Sequence, residues 1–245
     1  MTDRFLPGNA NLPIGEKPTA NQNIGDFGSV SQGWNSRGYL PHFENLEKIQ
    51  HVTFHLADSL PKEVIERLHK EIYALPLEKQ DTELRIRIEE WMDAGHGSCV
   101  LGVSHIAKLV QKAFLFHDNQ RYKLFAWVIM PNHVHVLFQP INNWAMAKIV
   151  ASWKKHTAMG IMAYGRCANQ EIGVPGKPIW HREYWDRFIR TDLHFKQVVE
   201  YIHQNPVKAG LVPKPNLWIW SSAGEANLPS GESDPQRKQP PNSPP

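Results

Sequence analysis

Cysteine is nearly absent from this chain of 245 residues, and long apolar runs are missing altogether. The two cysteines, Cys99 and Cys167, lie far apart and match no metal-site or disulfide spacing. No segment approaches the roughly 18 consecutive apolar residues of a membrane helix, and the first thirty residues contain no apolar leader core. We therefore expect a cytoplasmic protein with no membrane contact, stabilised by its own apolar core.

The net charge of +3 is distributed unevenly along the chain. Residues 141–222 hold eleven Lys and Arg against five Asp and Glu, whereas the residues before them sum to −2 and the tail after them to −1. A basic second half indicates an anionic partner, of which nucleic acid is the main candidate. A solvated basic face is the alternative, and charge alone does not decide between the two.

Both ends of the chain have the composition of disordered tails. Residues 1–35 are rich in Gly, Asn, Pro and Ser, and they predict a disordered or loosely ordered segment. No aromatic residue follows Trp220, and residues 223–245 contain six prolines among polar residues, which predicts a disordered Pro-rich tail. Residues 36–222 are left as one domain.

Between the tails, strand patterns alternate with helix patterns. The segments expected as strands are 50–57, 122–130, 133–138 and part of 180–190. The segments expected as helices begin at Pro61, cover 79–92 and 104–116, follow Met146, and run from a cap at Thr191 or Asp192 to Pro206. The almost wholly apolar segment 122–130 suggests a central strand covered on both faces. The pattern predicts an α+β fold in which helices cover one face of an antiparallel sheet.

The strand over 133–138 carries two histidines, His133 and His135. Side chains alternate along a strand, so both imidazoles project from one face, about 7 Å apart along the strand, while Val134, Val136 and Phe138 point into the core. Two imidazoles chelate a divalent cation if a third ligand comes from elsewhere. The alternative is a pair of histidines without a function, because the chain has thirteen histidines and the pattern arises by chance.

The last predicted helix places Tyr201 and Asn205 together on the flank of its apolar stripe, at the rim of the core. A phenol attacks a phosphodiester only if its proton is removed or withdrawn, and a nearby cation polarises the phosphate. Tyr201 is therefore a candidate nucleophile. An ordinary boundary tyrosine is the alternative. Tyr184 is a rival nucleophile without a polar partner one helical turn away.

Five segments then occur in a characteristic order: WVIMPNHVHVLF, SWKKHTA, WHREYWDRFIR, YIHQNPVKAGLV and WIWSS. Together with RGYLPHF and HVTFHLADSLP upstream, they resemble REP-associated tyrosine transposases, single-tyrosine members of the HUH (His-hydrophobic-His) nuclease superfamily. The resemblance covers roughly residues 34–222. It implies a ferredoxin-like α+β sandwich with a central antiparallel sheet.

The resemblance also implies a chemistry. His133 and His135 match the metal-binding pair for Mg²⁺ or Mn²⁺, and Tyr201 matches the nucleophile that becomes joined to the 5′ phosphate of cleaved single-stranded DNA. Asn205 stands where relatives supply a further polar metal ligand, although an amide is a weak ligand for Mg²⁺. The implied substrate is single-stranded or hairpin DNA from repetitive palindromic elements. The implied enzyme is a monomer or dimer, associated with the nucleoid, without a small-molecule cofactor.

Several basic residues are candidates for contacts with DNA phosphates: Lys148, Lys155, Arg182, Arg187 and Arg190. Trp180, Tyr184 and Trp185 are candidates for stacking on unpaired bases, against the alternative that they belong to the core. A helical segment at about 61–117 is longer than the resemblance requires, and the sequence assigns it no task. The alternatives to a transposase-like nuclease are a non-catalytic hairpin-binding protein, a phosphoesterase that uses activated water, and a relaxase.

Overall fold

A computed structural model describes residues 33–36, 41–44, 48–167 and 178–224. The strands in these residues are β1 (Gly33–Ser36), β2 (Pro41–Glu44), β3 (Gln50–His55), β4 (Tyr122–Ile129), β5 (His133–Pro140) and β6 (Trp185–Phe188). The helices are α1 (Lys62–Ile72), α2 (Leu77–Asp93), α3 (Ser104–Phe116), α4 (Met146–Cys167) and α5 (Asp192–Lys208), with short 3-10 turns at Val100–Gly102 and Pro215–Leu217.

Strands β3 to β6 form one antiparallel sheet in the order β4-β5-β3-β6, and β1 pairs with β2 in a separate hairpin. Helices α1, α2 and α3 connect β3 to β4. The hairpin of β4 and β5 follows directly, and α4 connects β5 to β6. This is the strand order of a ferredoxin-like sheet. The predicted α+β fold with a central antiparallel sheet is confirmed.

One face of the sheet is covered by α3 and α4. Val134, Val136 and Phe138 on β5 pack there against Ile106 of α3 and Trp153 of α4, all of them at most 3% exposed. Burial of this continuous apolar face is the main favourable contribution to folding. Because strand side chains alternate, His133 and His135 must then project from the opposite face.

The opposite face is covered by α5, so the expectation of helices on one face only is wrong. Val198 and Ile202 of α5 pack on Ala126, Val128 and Leu137 of β4 and β5. The apolar stripe of α5 thereby holds this helix over the half of the sheet that carries the histidine pair. Thr191 caps the helix, because its side chain accepts a hydrogen bond from the His194 amide, as the sequence predicts.

Strand β4 lies at the edge of the sheet, so the prediction of a central strand is wrong, although its second half is covered on both faces. Its outer edge is covered by the segment after α5. The Ile129 amide donates to Trp220 O at 2.8 Å, and the Ser222 amide donates to Trp127 O at 2.9 Å. These bonds satisfy backbone groups that an edge strand otherwise exposes.

Helix α5 ends at Lys208 and not at Pro206, which corrects the predicted boundary. Proline removes one backbone donor, yet the last turn still closes because the Ala209 amide donates to Asn205 O at 3.0 Å. Helices α1 and α2 form a hairpin around Leu68, Ile88 and Met92, within the predicted extra helical segment.

The expected tails fall outside the described residues, except that β1 begins at Gly33, within the segment predicted as the N-terminal tail, and that 223–224 are described. None of the helices in the described ranges is long and apolar enough to span a bilayer.

Candidate active site

The two histidines of β5 meet inside the protein. His133 and His135 are 0% and 1% exposed, and their ring centroids lie 4.9 Å apart. In the sheet register, His133 stands opposite His55, and His135 stands opposite Thr53 of β3. The imidazoles share one face of the sheet, as the alternation predicts.

The orientation of His133 is fixed by the residue before it. Asn132 donates through Nδ2 to Met92 O at 3.0 Å and to His96 O at 2.9 Å, which identifies its Oδ1 as the free acceptor. That Oδ1 lies 2.7 Å from His133 Nδ1, so the Nδ1 proton is donated to it. The lone pair is therefore on Nε2, the nitrogen that points into the site. A fixed tautomer of this kind is typical of metal-binding histidines.

His135 connects the sheet to helix α5. Its Nδ1 lies 2.8 Å from Thr53 Oγ1, and its Nε2 lies 3.3 Å from Asn205 Nδ2. The same Asn205 Nδ2 donates to Tyr201 Oη at 3.3 Å. The predicted histidine ligand, amide and nucleophile thus form one contiguous chain of polar contacts.

Helix α5 presents three polar side chains on one face, because Tyr201, Asn205 and Lys208 are spaced four and three residues apart. Tyr201 is half-buried, and its ring meets His135 edge-on at a centroid distance of 5.4 Å and His51 at 5.9 Å. Lys208 Nζ lies 5.9 Å from the Tyr201 ring centroid. The predicted position of Tyr201 at the rim of the core agrees with this geometry.

The histidines of the site are neutral at physiological pH. Burial lowers the pKa of His133 to about 3, and the Lys208 charge acts in the same direction. Burial lowers the pKa of His135 well below its usual value, and the charges of His133, His51 and Lys208 act in the same direction. Burial and the Arg187 charge lower the pKa of His51 to about 3. Neutral imidazoles keep their lone pairs available for a cation.

Two acidic residues of α2 also reach this region. Asp93 Oδ1 lies 3.7 Å from His133 Nε2, and Asp93 Oδ2 lies 3.5 Å from Lys208 Nζ, an ion pair at the limit of a hydrogen bond. Burial raises the pKa of Asp93, while Lys208 lowers it. Burial raises the pKa of Glu89, one turn earlier, to about 7.

The sequence interpretation missed Asp93, Lys208 and His51. Lys208 could have been found, since it stands seven residues after Tyr201 on the same helix face. His51 could have been found from the alternation of β3, which places it on the face of His55. Asp93 carried no sequence signal, because only the packing of α2 brings it to the sheet.

Two buried atoms of the site are suitable ligands for a divalent cation. His133 Nε2 and Asn205 Oδ1 are buried and have no hydrogen-bond partner. Buried polar atoms without partners are rare and call for a specific explanation. Imidazole nitrogen and amide oxygen are both accepted by Mn²⁺, and amide oxygen by Mg²⁺.

The predicted DNA-contacting residues divide between the two faces of the sheet. Lys148 and Lys155 are exposed on α4, which packs on the face opposite the histidine pair. Lys155 and Arg182 line an open, largely apolar cavity of about 520 Å³ between α4 and residues 178–184. Arg187 instead stands opposite His51 in the sheet register, on the face of the site. Arg190 is exposed just before α5, with its guanidinium 5.0 Å from the Phe188 ring centroid.

The aromatic candidates for base stacking lie mostly in the core. Trp180 is 4% exposed and donates to Thr157 Oγ1 at 2.9 Å, and Tyr184 is 8% exposed. Trp185 is half-buried with its ring stacked on His55. The stacking expectation is wrong for Trp180 and Tyr184, because their faces are already covered by protein.

Residues 104–205 match the family model described as Transposase IS200 like. The chain is similar to REP-associated tyrosine transposases. It is 32% identical over 109 residues to a Haemophilus influenzae protein provisionally named as one, and 26% identical over 108 residues to the REP-associated tyrosine transposase of Escherichia coli. The alignments cover 43% and 42% of this chain, and 61% and 56% of the two relatives. The resemblance expected from the motifs is confirmed.

A solved structure of a REP-associated tyrosine transposase bound to a REP hairpin aligns with a TM-score of 0.48 at 17% identity. The alignment covers 78% of this chain and 88% of that one. The family match runs from α3 to Asn205, and His133, His135 and Tyr201 lie within it. It begins after α2, so Asp93 lies outside it.

Proposed function

We propose that this chain is a transposase-like endonuclease and strand transferase for single-stranded DNA, with Tyr201 as its nucleophile. The observation that carries the proposal is the contact chain from Tyr201 Oη through Asn205 Nδ2 to His135 Nε2, in which both steps measure 3.3 Å. It joins a candidate nucleophile to a candidate cation site. The similarity to REP-associated tyrosine transposases supports the same chemistry.

In the proposed reaction, Tyr201 Oη attacks the scissile phosphorus. An ester bond forms between the phenolic oxygen and the 5′ phosphate, and the bond from phosphorus to the 3′ oxygen breaks. The phenolic proton leaves the tyrosine, and the departing strand gains one as it becomes a 3′-hydroxyl, so protons balance. Attack by a second 3′-hydroxyl on the phosphotyrosine reverses these changes, and one phosphodiester has been exchanged for another.

The surrounding residues have distinct proposed roles. His133, His135 and Asn205 would hold a divalent cation, Mg²⁺ or Mn²⁺, which would supply polarisation of the phosphate and stabilisation of developing charge. Asn205 also donates a hydrogen bond to Tyr201 Oη, which favours the phenolate over the phenol. Lys208 adds positive charge beside the ring, in the direction that stabilises an anionic oxygen.

The proposed substrate is hairpin-forming, repetitive palindromic DNA, cleaved in a single-stranded segment. The names of the relatives associate them with REP elements. Arg187 and Arg190 are the basic candidates nearest the site, and Lys148, Lys155 and Arg182 form a second group on the side of α4. A cytoplasmic, nucleoid-associated location follows from this substrate and remains a prediction.

The test is the detection of a covalent adduct on a denaturing gel, with hairpin DNA from the flanks of the encoding gene and Mg²⁺ or Mn²⁺. DNA labelled at its 3′ end should stay attached to the protein, whereas a 5′ label should leave on the released strand. The adduct should disappear in Tyr201→Phe. It should persist in Tyr184→Phe, the rival nucleophile, and in Tyr73→Phe, an exposed tyrosine of α1.

The other outcomes identify the alternatives. Cleavage without an adduct, unchanged in Tyr201→Phe, contradicts the tyrosine mechanism and indicates a phosphoesterase that uses activated water. Tight hairpin binding without cleavage on several flanking hairpins indicates a non-catalytic binding protein.

A further inference from the structure

The end of helix α2 is anchored beside the histidine pair. Asn132, which orients His133, also fixes the end of α2, because its Nδ2 donates hydrogen bonds to Met92 O and His96 O. On the far side of the helix, Trp91 Nε1 donates to Ser59 O at 3.0 Å. Asp93, the last residue of α2, is therefore held at the site, with its side chain 10% exposed.

Two buried polar atoms between α2 and β5 lack a donor. Asp93 Oδ2 is ion-paired with Lys208 Nζ at 3.5 Å, whereas Asp93 Oδ1 and His133 Nε2 have no hydrogen-bond partner. His133 donates its proton through Nδ1, so Nε2 and Asp93 Oδ1 face each other as two acceptors, 3.7 Å apart. Two acceptors cannot form a hydrogen bond with each other, whereas a cation between them binds to both. Ligand atoms bound to one such cation at about 2.1 Å lie roughly 3 to 3.5 Å apart, close to this spacing.

We propose that Asp93 is an additional, anionic ligand of the cation held by His133, His135 and Asn205, and that helix α2 is the element that supplies it. The inference rests on the proposed function, since it concerns the same cation. The other three ligands are uncharged, and a carboxylate is the ligand that Mg²⁺ and Mn²⁺ favour most. The role of the extra helical segment is then to add a negative charge to a set of ligands that is otherwise neutral.

The cation must draw its ligands slightly closer than they stand. In the described ranges, no three His, Cys, Asp or Glu side chains are already close enough together to hold an ion. The distance of 3.7 Å between Asp93 Oδ1 and His133 Nε2 has to shorten by a few tenths of an ångström to match two ligands of one cation.

The competing explanation is that Asp93 serves only to pair with Lys208, 3.5 Å away. The two explanations differ in what the Asp93 variant does. If Asp93 is a ligand, Asp93→Asn lowers metal affinity, whereas Lys208→Met removes a repulsive positive charge and leaves the affinity equal or higher. If Asp93 only pairs with Lys208, Asp93→Asn and Lys208→Met lower thermal stability by similar amounts, and Asp93→Asn leaves metal affinity unchanged.

Calorimetric titration of the full chain with Mn²⁺, without DNA, tests the inference. Asp93→Asn should weaken Mn²⁺ binding by at least about tenfold, since even partners outside the ligand sphere are worth 10- to 100-fold. Glu90→Gln removes the same charge from an exposed position on the same helix and should leave the affinity within about twofold. His133→Ala marks the site, because it should abolish the same binding event.

The outcomes separate this inference from the proposed function. Wild-type binding that Asp93→Asn leaves unchanged overturns the role of Asp93 and spares the histidine site. Wild-type protein that binds no Mn²⁺, or binds it unchanged in His133→Ala, overturns the cation site itself and the inference with it.

Discussion

His55 should make the protein acid-sensitive by an amount that the structure defines. The imidazole is fully buried, and its Nδ1 proton is donated to Leu56 O at 2.8 Å, close to Ser59 Oγ at 2.9 Å. Its Nε2 has no hydrogen-bond partner. Burial, followed by the charge of His181, lowers the pKa of His55 to about 3, against a smaller opposing contribution from the Leu56 carbonyl. Protonation at Nε2 therefore places an uncompensated charge inside the protein.

The direction of the effect follows from the two states. In the unfolded chain, His55 binds a proton below its ordinary pKa of 6.5, whereas in the folded protein it stays neutral down to about pH 3. Between these values the unfolded state binds more protons, so the free energy of unfolding falls as the pH is lowered. At pH 5 the loss is about 2 kcal/mol, and at pH 7 it is close to zero.

The assay is urea denaturation at pH 7 and pH 5 in the presence of a chelator, for wild type and His55→Asn. The asparagine amide retains a donor near the position of Nδ1 and cannot titrate. Wild type should lose about 2 kcal/mol more than the variant between the two pH values. His69→Asn, at an exposed position of α1, should keep the wild-type pH dependence. Equal pH dependence in wild type and His55→Asn would refute the claim that His55 is held neutral by burial.

Two further predictions concern the parts that support the site. Asn132→Ala removes the acceptor that orients His133 and the donors that anchor α2, so Mn²⁺ affinity measured by calorimetry should fall roughly 10- to 100-fold. Asn132→Asp keeps the acceptor and should lose less Mn²⁺ affinity. Unchanged affinity in Asn132→Ala contradicts the orienting role. Gly97→Ala should lower the free energy of unfolding by about 1 to 3 kcal/mol, because φ is +91° and the added Cβ would lie 2.9 Å from Asp58 O. Gly210→Ala, at φ +71° with no atom within 4 Å, should cost less in the same denaturation assay, and equal losses would contradict the steric argument.

The sequence predicted those features that depend on local periodicity. Alternation along β5 placed His133 and His135 on one face, and helical spacing placed Tyr201 and Asn205 together. Both arguments use only neighbours in the chain, and the structure brings all four side chains into contact. The predicted boundaries of α3, at 104 and 116, agree with the structure because its apolar stripe is continuous.

Features that depend on distant packing were not predictable in the same way. The apolar run in β4 suggested a central strand, since a covered edge strand and a central strand bury the same side chains. The end of α5 was placed at Pro206, although a proline in a last turn costs a single backbone hydrogen bond and the helix continues. Asp93 is set in place by contacts of α2 with residues about 40 positions away, and no spacing rule reports them.

The strip of chain after α5 determines where this domain can be cut. The family match ends at Asn205, yet Trp220 and Ser222 bond to the open side of β4, and Ser222 Oγ also lies 2.8 Å from His203 Nε2 on the helix of the nucleophile. A fragment that ends at Asn205 would leave unpaired amide and carbonyl groups along the outer edge of β4, where another copy could pair with them. It would also release one support of the helix that carries Tyr201. The working unit of this protein is therefore longer than its recognisable motif by at least the span to Ser222.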